Sequence, residues 1–311
     1  MIGDERILVT GGAGFIGSHL CEGLLQQGYR VRVLDDLSVG SRENIPTGCE
    51  FIHGSVLDHT ALERSLTDVQ HICHEAARVT IRGSVKTFYE DAETNLMGTL
   101  LLLKAAAQHG VRRFVYASSM AVYADSPQPV PIAESFPTVP VSPYGIAKLA
   151  SEQYVLLVGM NLGLEPVALR YFNTFGTRQM YTPYVGVITI FITQLLRKQE
   201  ITIFGDGEQR RDFVHVSDVV HANLLALHRK EAVGKVLNIG TGRATSVNQL
   251  ASILKEQLFP EAPVGHEPAR QEELRNSVAD ISQARKILGY EPRTDFVRQI
   301  PEVIQYVREK Q

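Results

Sequence analysis

Short, nearly continuous hydrophobic runs recur through the first half of the 311-residue chain, and stretches with helical spacing separate them. The runs lie at residues 7–9, 30–34, 50–53, 69–74 and 113–117. Runs of this length and composition are typical of strands that are buried on both faces of a sheet. Their regular alternation with helices predicts an α/β fold with a parallel, doubly wound sheet and right-handed crossovers.

A glycine-rich turn separates the first strand from the first helix, where residues 10–17 read T-G-G-A-G-F-I-G. Gly11 permits a tight turn, Gly14 lets a pyrophosphate approach the backbone, and Gly17 lets helix and strand pack closely. The N–H groups at the start of the helix are free to bind phosphates. The second strand ends at Asp35, where a carboxylate accepts hydrogen bonds from an adenosine ribose and repels a 2′-phosphate. This unit predicts NAD, rather than NADP, as the cofactor.

The pattern becomes less regular after a strand at residues 165–171. A hydrophobic helix is predicted at 185–197, short strands at 201–204, 213–216 and 236–239, and helices at about 247–257, 281–288 and 295–309. The glycine turn and the regular half predict a Rossmann NAD-binding domain from residues 1–172 and about 212–242. A smaller, interleaved C-terminal domain, from about 173–211 and 243–311, is expected to bind the substrate.

The composition is that of an ordinary globular enzyme, with 44% hydrophobic and 21% charged residues. A net charge of −3 gives no support for a nucleic-acid surface, and no apolar stretch is long enough to span a membrane. Three scattered cysteines, Cys21, Cys49 and Cys73, indicate a reduced, cytoplasmic setting. His71 and His74 are three apart on a predicted strand and face opposite ways, so no metal site is expected there.

Tyr144 and Lys148 are four residues apart at the start of a helix predicted to run to about residue 163, so their side chains share one face. An ammonium group beside a phenol favours the phenolate and lowers a pKa that is about 10 when unperturbed. The pair therefore supplies a base for a substrate hydroxyl whose carbon loses a hydride. Ser119 follows the strand at 113–117, at the sheet edge where ligands bind, and is placed to hydrogen-bond the same hydroxyl.

Five motifs together resemble the extended short-chain dehydrogenase/reductase family, and within it the nucleotide-sugar 4-epimerases. They are T-G-G-A-G-F-I-G at 10–17, S-S-M-A-V-Y at 118–123, Y-G-I-A-K at 144–148, R-Y-F-N at 170–173 and R-D-F-V-H-V at 211–216. The resemblance implies that Tyr144 removes the C4 hydroxyl proton while the C4 hydride passes to NAD. The 4-keto sugar then turns in the pocket and the hydride returns to its opposite face. Lys148 would bind the nicotinamide ribose, and Ser119 would assist proton transfer.

The same resemblance implies the binding residues. Cofactor contacts are expected at Gly11, Gly14, Phe15, Ile16, Gly17, Asp35, Ser55, Val56, Ala76, Ala77, Asn95, Tyr144 and Lys148. Contacts with the nucleotide sugar are expected at Ser119, Asn173, Phe204, Arg211, Arg270 and Ser277, with the two arginines facing the diphosphate. The chain departs from the usual family residues at Ser55, Ala124, Thr177 and Met180.

Ser277 bears on the choice of sugar. The segment 270–280 resembles bacterial epimerases that act on N-acetylated UDP-hexoses. In epimerases confined to UDP-glucose and UDP-galactose the matching position is a bulky tyrosine, whereas a serine leaves room for a 2-acetamido group unless a neighbouring side chain fills the space. We therefore expect activity on UDP-GlcNAc and UDP-GalNAc as well as on UDP-glucose and UDP-galactose.

Two alternatives remain open from the sequence. A UDP-glucuronate 4-epimerase or decarboxylase needs a group for the C6 carboxylate, for which Arg82 and Arg178 are candidates. Met120 and Ala121, however, stand where the related dehydratases and decarboxylases carry carboxylates, which disfavours both of those reactions. A non-catalytic dinucleotide-sensing protein would have little need of the Ser-Tyr-Lys combination.

The helices predicted at about 87–109 and 144–163 resemble those that form the four-helix dimer interface of the family. The expected partners are therefore a UDP-sugar substrate, NAD and a second copy of the chain. No nucleic acid, membrane or metal ion is expected.

Overall fold

The computed structural model describes residues 5–79, 85–126, 128–180, 186–269 and 274–310. The chain begins with β1 (Arg6–Thr10), α1 (Phe15–Gln26), β2 (Arg30–Asp35), β3 (Glu50–His53), α2 (His59–Leu66), β4 (His71–His74), α3 (Phe88–Ala92) and α4 (Gly98–Gln108). It continues with β5 (Arg113–Ser119), α5 (Pro143–Asn161), β6 (Glu165–Tyr171), β7 (Asn173–Phe175), α6 (Val187–Leu196), β8 (Ile201–Phe204), β9 (Arg210–Arg211) and β10 (Phe213–His215). The last elements are α7 (Val216–His228), β11 (Val236–Ile239), β12 (Thr245–Ser246), α8 (Val247–Leu258), β13 (Val264–Glu267), β14 (Asn276–Ser277), α9 (Ser282–Leu288) and α10 (Phe296–Glu309).

Seven parallel strands form the large sheet in the order β11-β6-β5-β4-β1-β2-β3. Strand β1 pairs with both β2 and β4, so that Ile7 lies between Val31 and His71. The strand order therefore reverses between β1 and β4, because the chain first moves outward to β3 and then returns. Open α/β sheets bind ligands outside the carboxyl ends of their strands at such a reversal. This topology confirms the predicted doubly wound α/β class and places the glycine turn at the expected crevice.

Both faces of the large sheet are covered by helices. Ile7 and Val9 of β1 belong to one hydrophobic cluster, together with Leu24 of α1. Leu8, which points to the other face, belongs to a second cluster with Leu102 of α4. All three β1 residues are fully buried, which explains why the strand reads as a continuous apolar run rather than an alternating one.

The rest of the chain forms a smaller unit with its own core. Its strands make a three-stranded sheet in the order β12-β9-β14 and two-stranded pairs β10-β7 and β13-β8. Helices α6, α8 and α10 bury residues such as Phe191, Leu250 and Ile304 in a third hydrophobic cluster. This unit begins where β6 ends, at the same carboxyl edge of the large sheet that holds the glycine turn.

Two helical regions differ from the sequence prediction. Residues 88–108 comprise α3, a π-helical turn at Glu93–Met97, and α4, rather than one uniform helix. Helix α7 was not predicted: the strand expected at 213–216 ends at His215, whose ring accepts a hydrogen bond from the Ser217 N–H and caps the helix. Apolar residues of α7 pack on α1 and the sheet, so its pattern resembles that of a buried strand.

One helix, α9, packs differently from what the proposed division into two domains implies. Ala284 and Leu288 of α9 belong to the cluster on the large sheet, although they lie in the C-terminal segment 243–311. We therefore assign α9 to the larger unit and otherwise keep the division as a proposal. Among the described residues, no helix has the length and apolar character needed to cross a membrane, and no group of acidic, histidine or cysteine side chains is arranged to hold a metal ion.

Candidate active site

The glycine turn forms a cradle that side chains would block. Gly11 has a φ of +72°, and a Cβ there would lie 2.7 Å from the backbone N and Cα of Ala76. A Cβ on Gly17 would lie 2.2 Å from the Gly11 carbonyl oxygen. Gly14 caps α1 in an extended conformation, and Phe15 and Ile16 form the first turn of the helix. Backbone atoms therefore line a concave surface at a helix N-terminus, which fits a pyrophosphate.

Asp35 lies at the end of β2 beside this cradle. Its two carboxylate oxygens accept hydrogen bonds from the Ala13 N–H, at 2.9 Å, and the Leu37 N–H, at 2.8 Å. A carboxylate has about four acceptor positions, so lone pairs remain for the hydroxyls of a ribose. Burial raises the pKa of Asp35, although both backbone hydrogen bonds oppose the shift. The glycine cradle and this carboxylate together fit NAD.

A buried polar chain holds the segment that follows β4. Thr99 Oγ1 donates to the Asn95 carbonyl at 2.6 Å, so it accepts from the His74 Nε2–H at 2.9 Å. The other ring nitrogen, Nδ1, then accepts from Thr10 Oγ1 at 2.7 Å, and the same Thr10 oxygen accepts from the Ala76 N–H. Burial, with a contribution from Lys148, lowers the pKa of His74 to about 3, which agrees with a neutral ring in one tautomer.

The Asn95 side chain fixes the other end of that segment. Its oxygen accepts from the Arg78 N–H at 2.8 Å and its amide donates to the Arg78 carbonyl at 2.9 Å. Asn95 lies in the π-helical turn, and such turns are frequent at functional sites. Asn95 therefore holds the loop that carries Ala76 and Ala77, which lies against the glycine turn.

Ser119, Tyr144 and Lys148 meet at the carboxyl edge of the sheet. Ser119 ends β5, and Tyr144 and Lys148 lie in the first two turns of α5, buried at 6% and 2% exposure. Helix α5 begins with Pro143, and the Ser142 hydroxyl accepts from the Gly145 N–H at 3.1 Å. A Cβ on Gly145 would lie 2.3 Å from the Ala121 carbonyl oxygen, so this glycine lets the catalytic helix approach the turn after Ser119.

Burial controls the protonation of this group. It raises the pKa of the Tyr144 phenol, with hydrogen bonding to Ser119 opposing the shift and the charges of Asp91 and Glu75 adding to it. Burial also lowers the pKa of Lys148 to about 8, against the stabilising charges of Glu75 and Asp91. The sequence predicted a lowered pKa for Tyr144. The Lys148 ammonium instead donates to the Ala117 carbonyl at 2.8 Å, and desolvation is the largest influence on the phenol, so its pKa is raised.

A buried ion pair anchors α5 to the sheet. Glu152 lies one turn beyond Lys148 and accepts from Arg170 of β6, with Nη2 to Oε1 at 2.6 Å and Nε to Oε2 at 2.9 Å. It also accepts from the Ser118 hydroxyl at 2.6 Å. The pair sits beneath Ser119 and fixes the catalytic helix relative to the end of β5. Paired and hydrogen-bonded in this way, the charges satisfy each other despite their burial.

The smaller unit brings Ser277 to the same edge. The Ser277 hydroxyl lies 3.3 Å from Met120 Sδ, next to Ser119, and accepts from Asn173 Nδ2 at 3.3 Å. Arg211 is the register partner of Ser277 between β9 and β14. The neighbouring residue, Asp212, donates its N–H to the Ser277 carbonyl at 2.8 Å. Three residues that the sequence predicted to bind substrate, Asn173, Arg211 and Ser277, therefore lie together near Met120 and Ser119.

The other predicted residues that the structure describes lie on neighbouring elements. Ser55 and Val56 follow β3, next to the end of β2, and Phe204 ends β8. Arg178, a candidate for a sugar carboxylate, instead pairs with Glu22 of α1 and donates to Ser18 Oγ. Arg270 and Arg82 lie outside the described residues.

Three residues of the site were missed by sequence reasoning. Asp212 accepts from the N–H groups of Thr241, Gly242 and Ala279 and so organises the segment that carries Ser277. Its only sequence signal was its place beside Arg211 in the R-D-F motif. Glu152 lies four residues after Lys148, as Lys148 does after Tyr144, so the sequence spacing could have placed it on the same helix face. Glu75 follows a strand at the ligand-binding edge, which was also a signal.

A family model described as NAD dependent epimerase/dehydratase matches residues 7–240 of the chain. UDP-glucose 4-epimerase of Azospirillum brasilense is 36% identical over 307 residues, covering 93% of this chain and 88% of that protein. The structure of UDP-glucose 4-epimerase from Thermotoga maritima with UDP-glucose is 40% identical, with a TM-score of 0.93 and coverage of 98% and 99%. That of Thermus thermophilus with NAD is 35% identical, with a TM-score of 0.90 and coverage of 97% and 99%.

Structures named for other sugars are similar too. UDP-N-acetylglucosamine 4-epimerase from Methanobrevibacter ruminantium, in complex with UDP-N-acetylmuramic acid, is 33% identical over 99% of both chains with a TM-score of 0.93. UDP-glucuronic acid 4-epimerase from Bacillus cereus is 31% identical over 98% of this chain and 100% of that one, with a TM-score of 0.91. Overall similarity therefore does not distinguish between these sugars, and the residues of the pocket have to.

Proposed function

Because the chain belongs to the NAD dependent epimerase/dehydratase family, we propose that it is a UDP-hexose 4-epimerase acting on UDP-GlcNAc and UDP-GalNAc as well as on UDP-glucose and UDP-galactose. Its relatives include proteins named UDP-glucose 4-epimerase, and NAD is its cofactor. The single observation that carries the proposal is the meeting of Ser119, Tyr144 and Lys148 with the small, buried Ser277 at one sheet edge.

The chemistry assigned to the chain's own residues is proton transfer and orientation. Bound NAD supplies reversible hydride acceptance at C4 of the sugar. Tyr144 takes the proton of the C4 hydroxyl and later returns it, and Ser119 hydrogen-bonds the same oxygen. Lys148 would hold the nicotinamide ribose and would offer a positive charge to the phenolate. Because burial raises the Tyr144 pKa, the phenolate is stabilised only when cationic groups are close to it.

Ser277 supports the N-acetylated substrates. Its side chain is fully buried, and its hydroxyl contacts Met120 and Asn173 rather than a larger neighbour. A tyrosine at this position would compete for space with Met120 and Asn173, where we propose that the 2-acetamido group lies. Met120 is an unbranched, adaptable side chain, so the two residues together leave a pocket wall that adjusts to either sugar.

UDP-glucuronate is the alternative substrate, since a solved relative is named for it. Of its two candidate groups for the C6 carboxylate, Arg178 is engaged by Glu22 and Ser18, and Arg82 lies outside the described residues. Turnover of UDP-glucuronate but not of UDP-GlcNAc would decide for this alternative.

The proposal is tested by proton NMR of the purified protein with UDP-GlcNAc, UDP-glucose and UDP-glucuronate in separate samples, first without and then with added NAD. We expect the first two to equilibrate with their C4 epimers. If only UDP-glucose turns over, the epimerase proposal stands and the argument from Ser277 is wrong. If none reacts even with NAD, the UDP-hexose proposal is wrong.

We also propose that the protein is a homodimer. Helix α5 exposes Ile146, Tyr154 and Leu157 along one face, with exposures of 57%, 46% and 69%. Phe88 and Tyr89 of α3 are 62% and 68% exposed. Large apolar side chains in such numbers on two helices are typical of an interface. The cytoplasmic setting stays a prediction.

A further inference from the structure

Glu75 is a carboxylate in the cofactor site to which the proposed reaction assigns no role. It directly follows β4, and its carbonyl carbon lies 2.9 Å from where a Cβ on Gly11 would be. Glu75 Oε1 accepts from the Tyr171 hydroxyl at 2.8 Å, and the Tyr171 oxygen accepts from Asn223 Nδ2 at 2.7 Å. Tyr171 of β6 therefore fixes the Glu75 side chain, and Asn223 of α7 fixes Tyr171.

The position of Glu75 relates it to the nicotinamide half of NAD. Its backbone touches the glycine turn, where the pyrophosphate is expected, and its charge acts on Lys148 and Tyr144, where the nicotinamide ribose is expected. A dinucleotide that spanned these two sites would bring its nicotinamide end near Glu75. Tyr171, which holds the carboxylate, is also the register partner of Ser119 between β5 and β6, so Glu75 lies at the sheet edge where the nicotinamide ring is expected.

The surroundings of Glu75 leave its negative charge poorly compensated. Burial raises its pKa to about 7, while Tyr171 and Lys148 oppose the shift. Arginine pairs with other carboxylates in this region, but no direct ion pair to Glu75 is seen among the described residues. Several other titratable groups surround Glu75 or the lysine it interacts with. They are Lys148 and Tyr144 of α5, Tyr171 of β6, Cys73 and His74 of β4, and Asp91 of α3, whose charge influences Lys148. A partly buried carboxylate in this state gains from any further cation.

We propose that Glu75 is the counter-charge of the nicotinamide ring, and that it makes the site favour the cationic NAD⁺ over the neutral ring of NADH. The inference rests on NAD as the cofactor and not on the identity of the sugar. Its consequence for the cycle is that the resting cofactor stays oxidised and ready to act on C4. The reduced cofactor would then be held less tightly than the oxidised one throughout the cycle.

The test compares wild type with Glu75→Gln, whose amide oxygen still accepts from Tyr171. Each protein is equilibrated with mixtures of NAD⁺ and NADH of known ratio, free nucleotide is removed, and the bound forms are quantified by chromatography and near-ultraviolet absorbance. We expect the preference for NAD⁺ to fall on the order of tenfold in Glu75→Gln, as for one charge at a partly screened distance. The loss should arise from weaker NAD⁺ binding, with NADH binding nearly unchanged.

The pH dependence gives a second readout that a purely structural role would not produce. As the pH falls from about 8 to about 6, Glu75 takes up a proton and its charge is lost, so the wild-type preference for NAD⁺ should decline. In Glu75→Gln only Lys148, whose pKa is about 8, still titrates beside the expected ribose, so the decline below about pH 7 should be absent.

Tyr171→Phe is the matched control, because it removes the hydrogen bond to Glu75 but leaves the carboxylate. Because this hydrogen bond lowers the pKa of Glu75, we expect the variant to keep the NAD⁺ preference at alkaline pH and to lose it at a higher pH than wild type does. Equal loss of NAD⁺ and NADH binding in Glu75→Gln, or an unchanged ratio, would overturn the inference while leaving the proposed function intact. Failure of the wild type to bind either nucleotide would count against the proposed function itself.

Discussion

Tyr144 and Lys148 lie one helical turn apart, and burial moves both of their pKa values toward the neutral form. The phenol is harder to ionise than in water, and the ammonium, with a pKa of about 8, is close to losing its proton. Each group therefore depends on its neighbours to carry charge: Glu75 and Asp91 favour the ammonium, and cations near Tyr144 favour the phenolate. A site of this kind changes its protonation when a charged ligand arrives.

Tyr144→Phe tests the assignment of the base. The variant keeps the ring and its packing but removes the only proton-accepting atom, so we expect kcat to fall on the order of a thousandfold with NAD content unchanged. Tyr154→Phe is the matched control on the same helix, since Tyr154 is 46% exposed and outside the site. Full turnover by Tyr144→Phe would remove the basis of the mechanism, and biological activity unchanged in that variant would favour the non-catalytic, dinucleotide-sensing alternative.

Ser277→Tyr tests the assignment of the pocket wall. The phenol would occupy the space beside Met120 and Asn173, so UDP-GlcNAc turnover should fall at least about tenfold relative to UDP-glucose turnover, an effect of roughly 1.4 kcal/mol or more. Ser277→Ala, which adds no bulk, should leave the ratio of the two kcat/KM values nearly unchanged. Equal losses on both substrates in Ser277→Tyr would show that the residue does not select the sugar.

At the scale of single residues, sequence spacing revealed the groups that act locally and missed those that act through the fold. The four-residue spacing of Tyr144 and Lys148 places them on one helix face whatever the rest of the chain does. Glu75 and Tyr171, in contrast, are separated by 96 residues and meet only because β4 and β6 lie in one sheet. Resemblance to a family supplied Ser277, whereas Asp212, which holds the Ser277 segment, required the observed hydrogen bonds.

At the scale of elements, His74 joins three parts of the large sheet's carboxyl edge. It ends β4 and contacts Thr10 of β1 on one side and Thr99 of α4 on the other. The strands themselves were predictable because each is a buried apolar run bounded by turn residues. Helix α7 and the π-turn were not, since an apolar helix that packs against the sheet has no polar face to reveal its period, and a π-turn adds a residue without changing composition.

His74→Asn tests this junction through acid stability. The folded ring has a pKa of about 3 against an ordinary 6.5, so between these values the unfolded chain binds more protons and folding stability falls as the pH falls. Removing His74 should cost about 1–3 kcal/mol at neutral pH through a lost buried hydrogen bond. It should also make the decline of stability between about pH 6 and 4 shallower, by at most about 1.4 kcal/mol per pH unit.

Urea unfolding of wild type and His74→Asn across this pH range measures the two slopes. The exposed His59, at the start of α2, provides the control His59→Asn, which should keep the wild-type slope. An identical slope in His74→Asn would mean that the buried ring does not contribute to acid sensitivity.

At the scale of the whole molecule, the site lies where the two units meet and the proposed interface lies on the outer face of the same catalytic helix. Helix α5 buries Tyr144, Lys148 and Glu152 on one face and exposes Ile146 and Leu157 on another. The composition of the chain predicts neither arrangement. The connections between strands put the reversal of strand order between β4 and β1. Ligands bind at such a reversal, and the smaller unit adds Ser277 at the same carboxyl edge of the sheet.

Leu157→Glu tests the dimer. A charge at this 69% exposed position would be buried against a second copy, so we expect light scattering at micromolar concentration to give twice the chain mass of 34.5 kDa for wild type and a shift toward the single-chain mass for the variant. Val297→Glu, at an exposed position on α10, should remain dimeric. If the wild-type protein had the mass of one chain, the dimer proposal would be wrong and the catalytic proposal would be unaffected.

The central claim is that the sugar is inverted at C4 by removal and return of its own hydrogen. Proton NMR of the reaction in D₂O, with UDP-GlcNAc and with UDP-glucose, tests this claim most directly. We predict that the C4 epimer forms and that its C4 position retains hydrogen, because the hydride never exchanges with solvent. Deuterium at C4 of the product, or the absence of any epimer with NAD present, would contradict the account.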